Sequence, residues 1–180
     1  MGKLSALLVA LVALAMLPAT VCEGARMSAP VDIEVTRPMT ASRDALWAVL
    51  SDLSRVPEWL EFAAELPERS SDRADAGATY TVRPPRRMEP TTHWRIAEVD
   101  EGSRQLHTSE MPMFSGVRSE IAIEDAPGGG VQVHVRWRAQ KAKLVARLLH
   151  SSFEKRIRDN WERSLARLDE VALRRSSPSA

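Results

Sequence analysis

Residues 142–173 read AKLVARLLHSSFEKRIRDNWERSLARLDEVAL. This stretch contains neither glycine nor proline, and its apolar residues keep to one broad stripe at helical spacing. The pattern predicts one helix over 142–173, far longer than an average helix of about 11–12 residues. A stripe of that length needs a large concave apolar surface to cover it. A curved sheet built from the preceding residues would supply that surface.

The preceding residues contain a clear hairpin pattern. Segments 117–124 and 131–138 alternate apolar and polar residues on either side of Pro-Gly-Gly-Gly at 127–130. This predicts two antiparallel strands with one face against the core and one face in water. Alternation predicts further strands at 31–35, 78–82, 92–96 and 105–111.

Two short helices are predicted between the first strand and the rest of the sheet. Ser42 is a suitable N-cap, and Asp44 places a carboxylate in the first turn, where it suits the helix dipole. Apolar residues then recur at helical spacing as far as Leu53. A second short helix is predicted after Pro57, with Pro67 ending it.

The composition indicates one folded domain, and its net charge indicates no general attraction to a charged partner. The chain has 180 residues, 44% of them hydrophobic and 27% charged, as expected of a single globular domain. A formal net charge of +1 gives no general attraction to nucleic acid. Cys22 is the single cysteine, so the fold has no intrachain disulfide.

The two ends of the chain are predicted to lie outside the domain at 31–173. Residues 1–26 resemble a signal peptide, because Lys3 precedes a 14-residue apolar run at 4–17. That run is shorter than the ~20 residues of a comfortable membrane span. We therefore expect export to the periplasm or the exterior, or a cytoplasmic location if translation starts at Met27. Residues 174–180 are predicted to be a polar disordered tail.

The predicted order of elements resembles the helix-grip superfamily, which includes START-related lipid-transfer domains and the SRPBCC group. Two stretches are similar to bacterial polyketide cyclase/dehydrase-like members: 40–52, continuing to Pro57-Glu58-Trp59, and Thr-His-Trp-Arg-Ile at 92–96. The resemblance covers 31–173. It implies an α+β fold in which a strongly bent antiparallel sheet of about seven strands, in the order β-α-α-β6-α, wraps around the C-terminal helix. It leaves function open, because the superfamily binds lipids, quinones, steroids and polyketides, and only some members catalyse.

A strongly bent sheet does not close flat on a straight helix, so we expect an apolar cavity between them that binds a hydrophobic molecule. The loop 111–114 is compatible with a movable lid or with a permanent plug of this cavity. The residues predicted to line the cavity are Tyr80, Trp94, Ile96, Met111, Phe114, Ile121, Val133, Val135, Trp137, Leu148 and Ser152.

Candidate catalytic residues are few. Glu110 would be a general acid or base if it shares an inward face with Leu106, and it would be solvated otherwise; Tyr80 is the other candidate. The sequence contains no nucleophile elbow and no phosphate-binding glycine motif. Its four histidines lack metal-ligand spacing. We expect neither metal nor cofactor.

Three hypotheses follow. The first is binding or transport of a lipid, quinone or polyketide-like compound, the second a polyketide cyclase/aromatase-like enzyme, and the third an interaction module with a filled cavity.

The segment 141–175 holds ten Lys/Arg and five Asp/Glu. It would form a solvated helix face or a peripheral membrane contact. The sequence leaves the ligand's identity and the oligomeric state open.

Overall fold

The computed structural model describes residues 30–86, 89–112, 114–142 and 150–176. The predicted leader at 1–26 and the predicted cavity residue Leu148 lie outside these ranges. Within them the elements are β1 (Val31–Met39), α1 (Arg43–Leu50), a 3₁₀ turn (Leu53–Arg55), α2 (Val56–Trp59), β2 (Glu65–Arg69), β3 (Thr79–Arg83), β4 (Thr92–Asp100), β5 (Arg104–Met111), β6 (Phe114–Asp125), β7 (Val131–Ala139), β8 (Lys141–Ala142) and α3 (His150–Ser176).

Seven of the described strands form one continuous antiparallel sheet in the order β1-β7-β6-β5-β4-β3-β2. The two-residue strand β8 pairs with β6 beside this path. The predicted hairpin is β6 and β7, which pair from Arg118 opposite Arg138 to Asp125 opposite Val131. The sheet curls around the C-terminal helix, which confirms the predicted helix-grip fold.

The prediction for residues 60–67 was wrong. The second helix, α2, ends at Trp59, and Pro67 lies inside β2 instead of ending a helix. Proline is tolerated there because β2 is an edge strand, one side of which needs no N–H donors. The β2–β3 register also shifts between Glu65 and Glu68, around the proline.

The start of α1 agrees with the prediction. The hydroxyl oxygen of Ser42 accepts a hydrogen bond from the backbone N–H of Ala45 at 3.3 Å. One face of α1 is buried, through Ala45, Leu46, Val49 and Leu50.

Helix α3 packs against β1, α1 and α2. Its buried stripe includes Trp161, Leu165 and Leu168. The carboxylate of Asp169 accepts hydrogen bonds from the backbone N–H groups of Thr40 and Ala41, at 3.0 and 2.8 Å. This carboxylate fastens the C-terminal half of α3 to the connection between β1 and α1.

The predicted bounds of the long helix differ from the observed ones at both ends. Lys141 and Ala142 form β8, because they pair with Ser115 and Phe114 of β6. At the other end α3 continues to Ser176, into the segment predicted to be a tail.

Candidate ligand-binding cavity

A cavity of about 240 Å³ lies between the sheet and α3, and we call it the apolar cavity. The sheet side is formed by the strands β3 to β7 and by the connections β3–β4 and β5–β6. The helix side is formed by residues 153–161 of α3. The lining residues are Phe62, Val82, Pro84, Glu89, Pro90, Thr92, Trp94, Met111, Pro112, Phe114, Trp137, Phe153, Arg156, Ile157, Asn160 and Trp161.

Three aromatic rings from β6, β7 and α3 form one wall of the apolar cavity. Phe114 packs against Phe153 with ring centroids 4.7 Å apart. It meets Trp137 edge-on at 5.6 Å. This wall therefore depends on contact between the sheet and the helix, so a change in their separation changes the width of the cavity.

The mouth of the apolar cavity is polar. The guanidinium of Arg156 on α3 forms an ion pair with the carboxylate of Glu89, which lies between β3 and β4. Arg86 approaches the same carboxylate at 3.5 Å. We call Glu89 and Arg156 the rim pair. It joins the helix to the sheet side at the cavity's edge.

A second, smaller cavity of about 20 Å³ lies deeper, and we call it the polar cavity. Phe62, Trp94 and Trp161 line both cavities, so they stand between the two spaces. Phe62 meets Trp161 edge-on at 5.3 Å. The other residues that line the polar cavity are Leu50, Leu53, Val56, Trp59, Leu60, Tyr80, Gln105, His107, Ser119 and Ile121.

A chain of hydrogen bonds borders the polar cavity, and each group in the chain donates to the next, from Tyr80 to the carbonyl of Leu50. Gln105 Nε2 donates to the carbonyl oxygen of Leu50 at 3.1 Å, which leaves Oε1 as its acceptor. His107 Nε2 lies 3.1 Å from that Oε1 and must donate to it. His107 Nδ1 is then an acceptor, and the Tyr80 hydroxyl donates to it at 2.9 Å. The carbonyl of Leu50 thereby fixes the tautomer of His107 and the direction of the Tyr80 proton.

Burial keeps both titratable groups of this chain neutral. It lowers the pKa of His107 to about 4, because the imidazolium loses its hydration. The same cause raises the pKa of Tyr80 well above its usual value. At neutral pH the pair is an uncharged imidazole and an uncharged phenol.

Two polar atoms on the polar cavity's lining residues lack hydrogen-bond partners among the described residues. They are the indole Nε1 of Trp59 and the hydroxyl of Ser119. Trp59 is 3% exposed and Ser119 is 2% exposed, so bulk water does not reach them freely. Buried polar groups are nearly always paired, and an unpaired one is costly.

The predicted cavity residues fall into several groups. Trp94, Met111, Phe114 and Trp137 line the apolar cavity, and Tyr80, Trp94 and Ile121 line the polar cavity. The structure places Ile96, Val133 and Val135 in the core, with no exposed surface, and Ser152 at the exposed surface of α3. Leu148 lies outside the described residues.

Glu110 lies away from both cavities. On β5 the buried residues are Gln105, His107 and Ser109, whereas Glu110 is exposed and pairs with His93 on β4. Glu110 and His93 border an open groove of about 710 Å³ that also contains Glu68, Arg69 and Arg118. This groove is larger than the apolar cavity, but its openness and charges make it unsuitable for enclosing an apolar ligand.

Sequence reasoning missed His107, Gln105, Ser119 and Phe62 as site residues. The inward face of β5 is polar, so the usual assumption that Leu106 points inward selects the wrong face. The signal that corrects it is the pairing of Trp94 with Ser109, which puts the odd-numbered residues of β5 inside. That register is a property of the folded sheet.

In the described part of the chain, none of the helices has the length and apolar character needed to cross a membrane. Nor do the His, Cys, Asp and Glu residues of that part form any group of three or more that could hold a metal ion.

A family model described as "Polyketide cyclase / dehydrase and lipid transport" matches residues 30–172. None of the curated proteins matches the sequence significantly.

Solved structures share the fold at low sequence identity. SA2116 from Staphylococcus aureus, a protein of unknown function, superposes with a TM-score of 0.62 at 15% identity, over 82% of this chain and 96% of that one. TTHA0849 from Thermus thermophilus gives 0.62 at 18% identity, over 82% and 100%. StfQ, a di-domain ARO/CYC from the steffimycin biosynthetic pathway, gives 0.68 at 16% identity, over 88% of this chain and 55% of that one. At sequence identities this low, the structural similarity shows a shared fold and gives no information about function.

Proposed function

The chain belongs to the polyketide cyclase/dehydrase and lipid transport family, and from that membership we propose that it binds and carries an apolar small molecule between the sheet and α3. The observation that carries the proposal is the apolar cavity of about 240 Å³. An apolar cavity of about 150 Å³ in a protein core already admits benzene. The space here therefore suits a bicyclic ring or a short acyl chain.

The energetics support reversible binding. Each ~100 Å² of apolar ligand surface removed from water contributes about 2.5 kcal/mol. Loss of the ligand's translational and rotational freedom offsets part of that gain. We therefore expect dissociation constants in the micromolar range for ligands that fill the cavity.

A cyclase/aromatase-like enzyme is the second candidate, and the buried Tyr80–His107 hydrogen bond favours it. The protonation states argue against it. A general acid or base works best with a pKa near the operating pH, whereas burial lowers the pKa of His107 to about 4 and raises that of Tyr80. Neither group exchanges a proton readily at neutral pH, so binding is the better supported function.

A protein-interaction module with a filled cavity is the least supported candidate. The described side chains that line the apolar cavity leave about 240 Å³ of it unfilled. A module that used only its outer surface would gain stability by filling that volume.

Fluorescence titration with N-phenyl-1-naphthylamine tests the proposal, because the dye brightens in apolar surroundings. We expect saturable brightening by the purified protein. Ile157→Trp adds bulk at a half-buried lining position and should weaken binding at least five-fold. Glu162→Trp places the same side chain at an exposed position of α3 and should leave binding unchanged. Absence of saturable binding by the folded protein, for this dye and for anthraquinone and fluorescent fatty-acid probes, would refute the proposal.

A further inference from the structure

The polar cavity is lined by two residues from different elements, each with an unpaired polar atom. Trp59 comes from α2 and Ser119 from β6, and the two side chains line the same space of about 20 Å³. Among the described residues, neither Trp59 Nε1 nor the Ser119 hydroxyl has a hydrogen-bond partner. Each is at least nine-tenths buried. Such a pair is costly unless another molecule supplies the missing hydrogen bonds.

We infer that the polar cavity is the end of the ligand site that recognises oxygen, and that it takes a neutral ketone or hydroxyl at the tip of an otherwise apolar ligand. The apolar body of that ligand would occupy the larger cavity. This inference rests on the proposed function and names its ligand class.

The donors and acceptors around the polar cavity favour a ligand oxygen that accepts hydrogen bonds. Indole Nε1 of Trp59 is a donor only, and the Ser119 hydroxyl can donate as well as accept. The proton of Tyr80 is committed to His107, so Tyr80 contributes only oxygen lone pairs to the space. One ligand oxygen accepts from Trp59 and Ser119, and a hydroxyl can also donate to Tyr80.

The size and charge of the polar cavity exclude larger acidic groups. A water-sized group needs about 10–15 Å³ of such space, so about 20 Å³ holds one oxygen. Of the described residues that line it, none carries a charge at neutral pH. A carboxylate would lose its hydration there without gaining a cation.

The two cavities share a boundary that is formed by aromatic side chains. Phe62, Trp94 and Trp161 line both spaces. Trp94 and Trp161 are buried on β4 and α3, whereas Phe62 is half-buried in the connection between α2 and β2. Rotation of Phe62 away from its edge-on contact with Trp161 would make one continuous site, with an apolar body and a polar end.

Displacement of N-phenyl-1-naphthylamine by three matched naphthalenes tests this inference. 2-Naphthol carries a neutral hydroxyl, 2-methylnaphthalene replaces it with a methyl group, and 2-naphthoate replaces it with a charged carboxylate. We expect the native protein to bind 2-naphthol about ten-fold more tightly than either of the others.

Two variants each remove one of the proposed hydrogen bonds, Ser119→Ala with little change of shape and Trp59→Phe with the loss of part of a buried ring. Ser119→Ala and Trp59→Phe should each reduce the naphthol-to-methylnaphthalene ratio to about one, with the affinity for 2-methylnaphthalene changed less than two-fold. Ser109→Ala is the matched control. It removes another buried inward serine, whose hydroxyl already donates to the carbonyl of His93 at 2.6 Å. The control should keep the ten-fold ratio.

The outcomes separate this inference from the proposed function. A ratio near one in the native protein, unchanged by Ser119→Ala, would overturn the inference and leave ligand binding intact; the polar cavity would then hold a structural water. 2-Naphthoate binding as tightly as 2-naphthol would overturn the requirement for a neutral group. If the protein binds neither the dye nor any naphthalene, the proposed function itself fails. Should Trp59→Phe fail to fold, as judged by circular dichroism, Ser119→Ala decides the test alone.

Discussion

The hydroxyl of Tyr80 donates to Nδ1 of His107 at 2.9 Å, and both side chains are buried between the sheet and α3. The same contact exists on the outside of the molecule, where the hydroxyl of Thr36 lies 2.8 Å from Nδ1 of His134. The two contacts differ in burial and in the kind of hydroxyl, which is phenolic in Tyr80 and aliphatic in Thr36. The outer contact therefore serves as an exposed reference for the buried one.

Tyr80→Phe should lower the free energy of unfolding by about 1–3 kcal/mol, because it leaves a buried imidazole nitrogen without a donor. Urea denaturation followed by tryptophan fluorescence measures the change. Thr36→Val is the control and should cost less than about 0.5 kcal/mol, because water replaces the lost partner. Equal costs for the two variants would show that the inner hydrogen bond is not enclosed as described.

Stability should fall as the pH drops from 6.5 to 4. The pKa of His107 is about 4 in the folded protein, against about 6.5 in an unfolded chain. Between these values the unfolded state binds a proton that the folded state does not, so acid favours unfolding. The difference of pKa corresponds to a loss on the order of 3 kcal/mol, complete below about pH 4.

Substitution of His107 measures its contribution to the pH dependence of the free energy of unfolding. In His107→Gln the free energy of unfolding should depend less steeply on pH between 6.5 and 4, whatever its absolute value. His134→Gln, at the half-exposed outer histidine, is the control and should keep the native slope. A native slope in His107→Gln would contradict the assignment of this pH dependence to His107.

Asp169→Asn should destabilise the protein by about 2 kcal/mol, because the charged acceptor of the Thr40 and Ala41 N–H groups is lost. Thermal and urea unfolding measure this effect. Asp159→Asn on the same helix removes an i,i+4 pair with Lys155 and should cost under about 0.5 kcal/mol. If both variants behave alike, Asp169 does not fasten α3 in solution.

Glu89→Gln breaks the rim pair and should speed the release of N-phenyl-1-naphthylamine two- to five-fold, because a surface ion pair is worth up to about 1 kcal/mol. Stopped-flow dilution measures the rate. Glu65→Gln breaks the exposed Glu65–Arg83 pair on the sheet edge and should leave release unchanged. Equal release rates in Glu89→Gln and the native protein would mean that the rim pair does not restrict the mouth.

Export remains a prediction from residues 1–26. Intact-mass analysis of the protein from its own host should give a mature chain that lacks the apolar run at 4–17. A chain that begins at Met27 or Ser28 would instead indicate translation from Met27 and a cytoplasmic location.

Periodicity was sufficient to predict most of the fold. The β6–β7 hairpin and the long C-terminal helix are each set by local patterns that agree with the final packing. The edge strand β2 was missed, because Pro67 is a strong local signal that pairing with β3 overrides. The short strand β8 was missed because it exists only through its partner β6.

The residues of the two cavities differ in how well they can be predicted from the sequence. Two of the aromatic residues that line the apolar cavity were predictable, because Trp94 and Trp137 lie at apolar positions of clearly alternating strands. The hydrogen-bond chain was not, because it joins Leu50, Tyr80, Gln105 and His107 from three separate elements. Which residues of β5 face inward follows from the register with β4, and no local pattern in β5 reveals it.

If α3 tilted about its hydrogen bonds at Asp169, the helix would act as a lever on the cavity wall. Asp169 lies sixteen positions after Phe153, which is in the cavity wall. At 1.5 Å per residue the arm is about 24 Å long. A tilt of about 2° at the fastened end would displace Phe153 by about 0.8 Å, roughly half the radius of a carbon atom. A small angle at the far end of one helix would therefore change the width of the apolar cavity, and with it the girth of ligand that the proposed function admits.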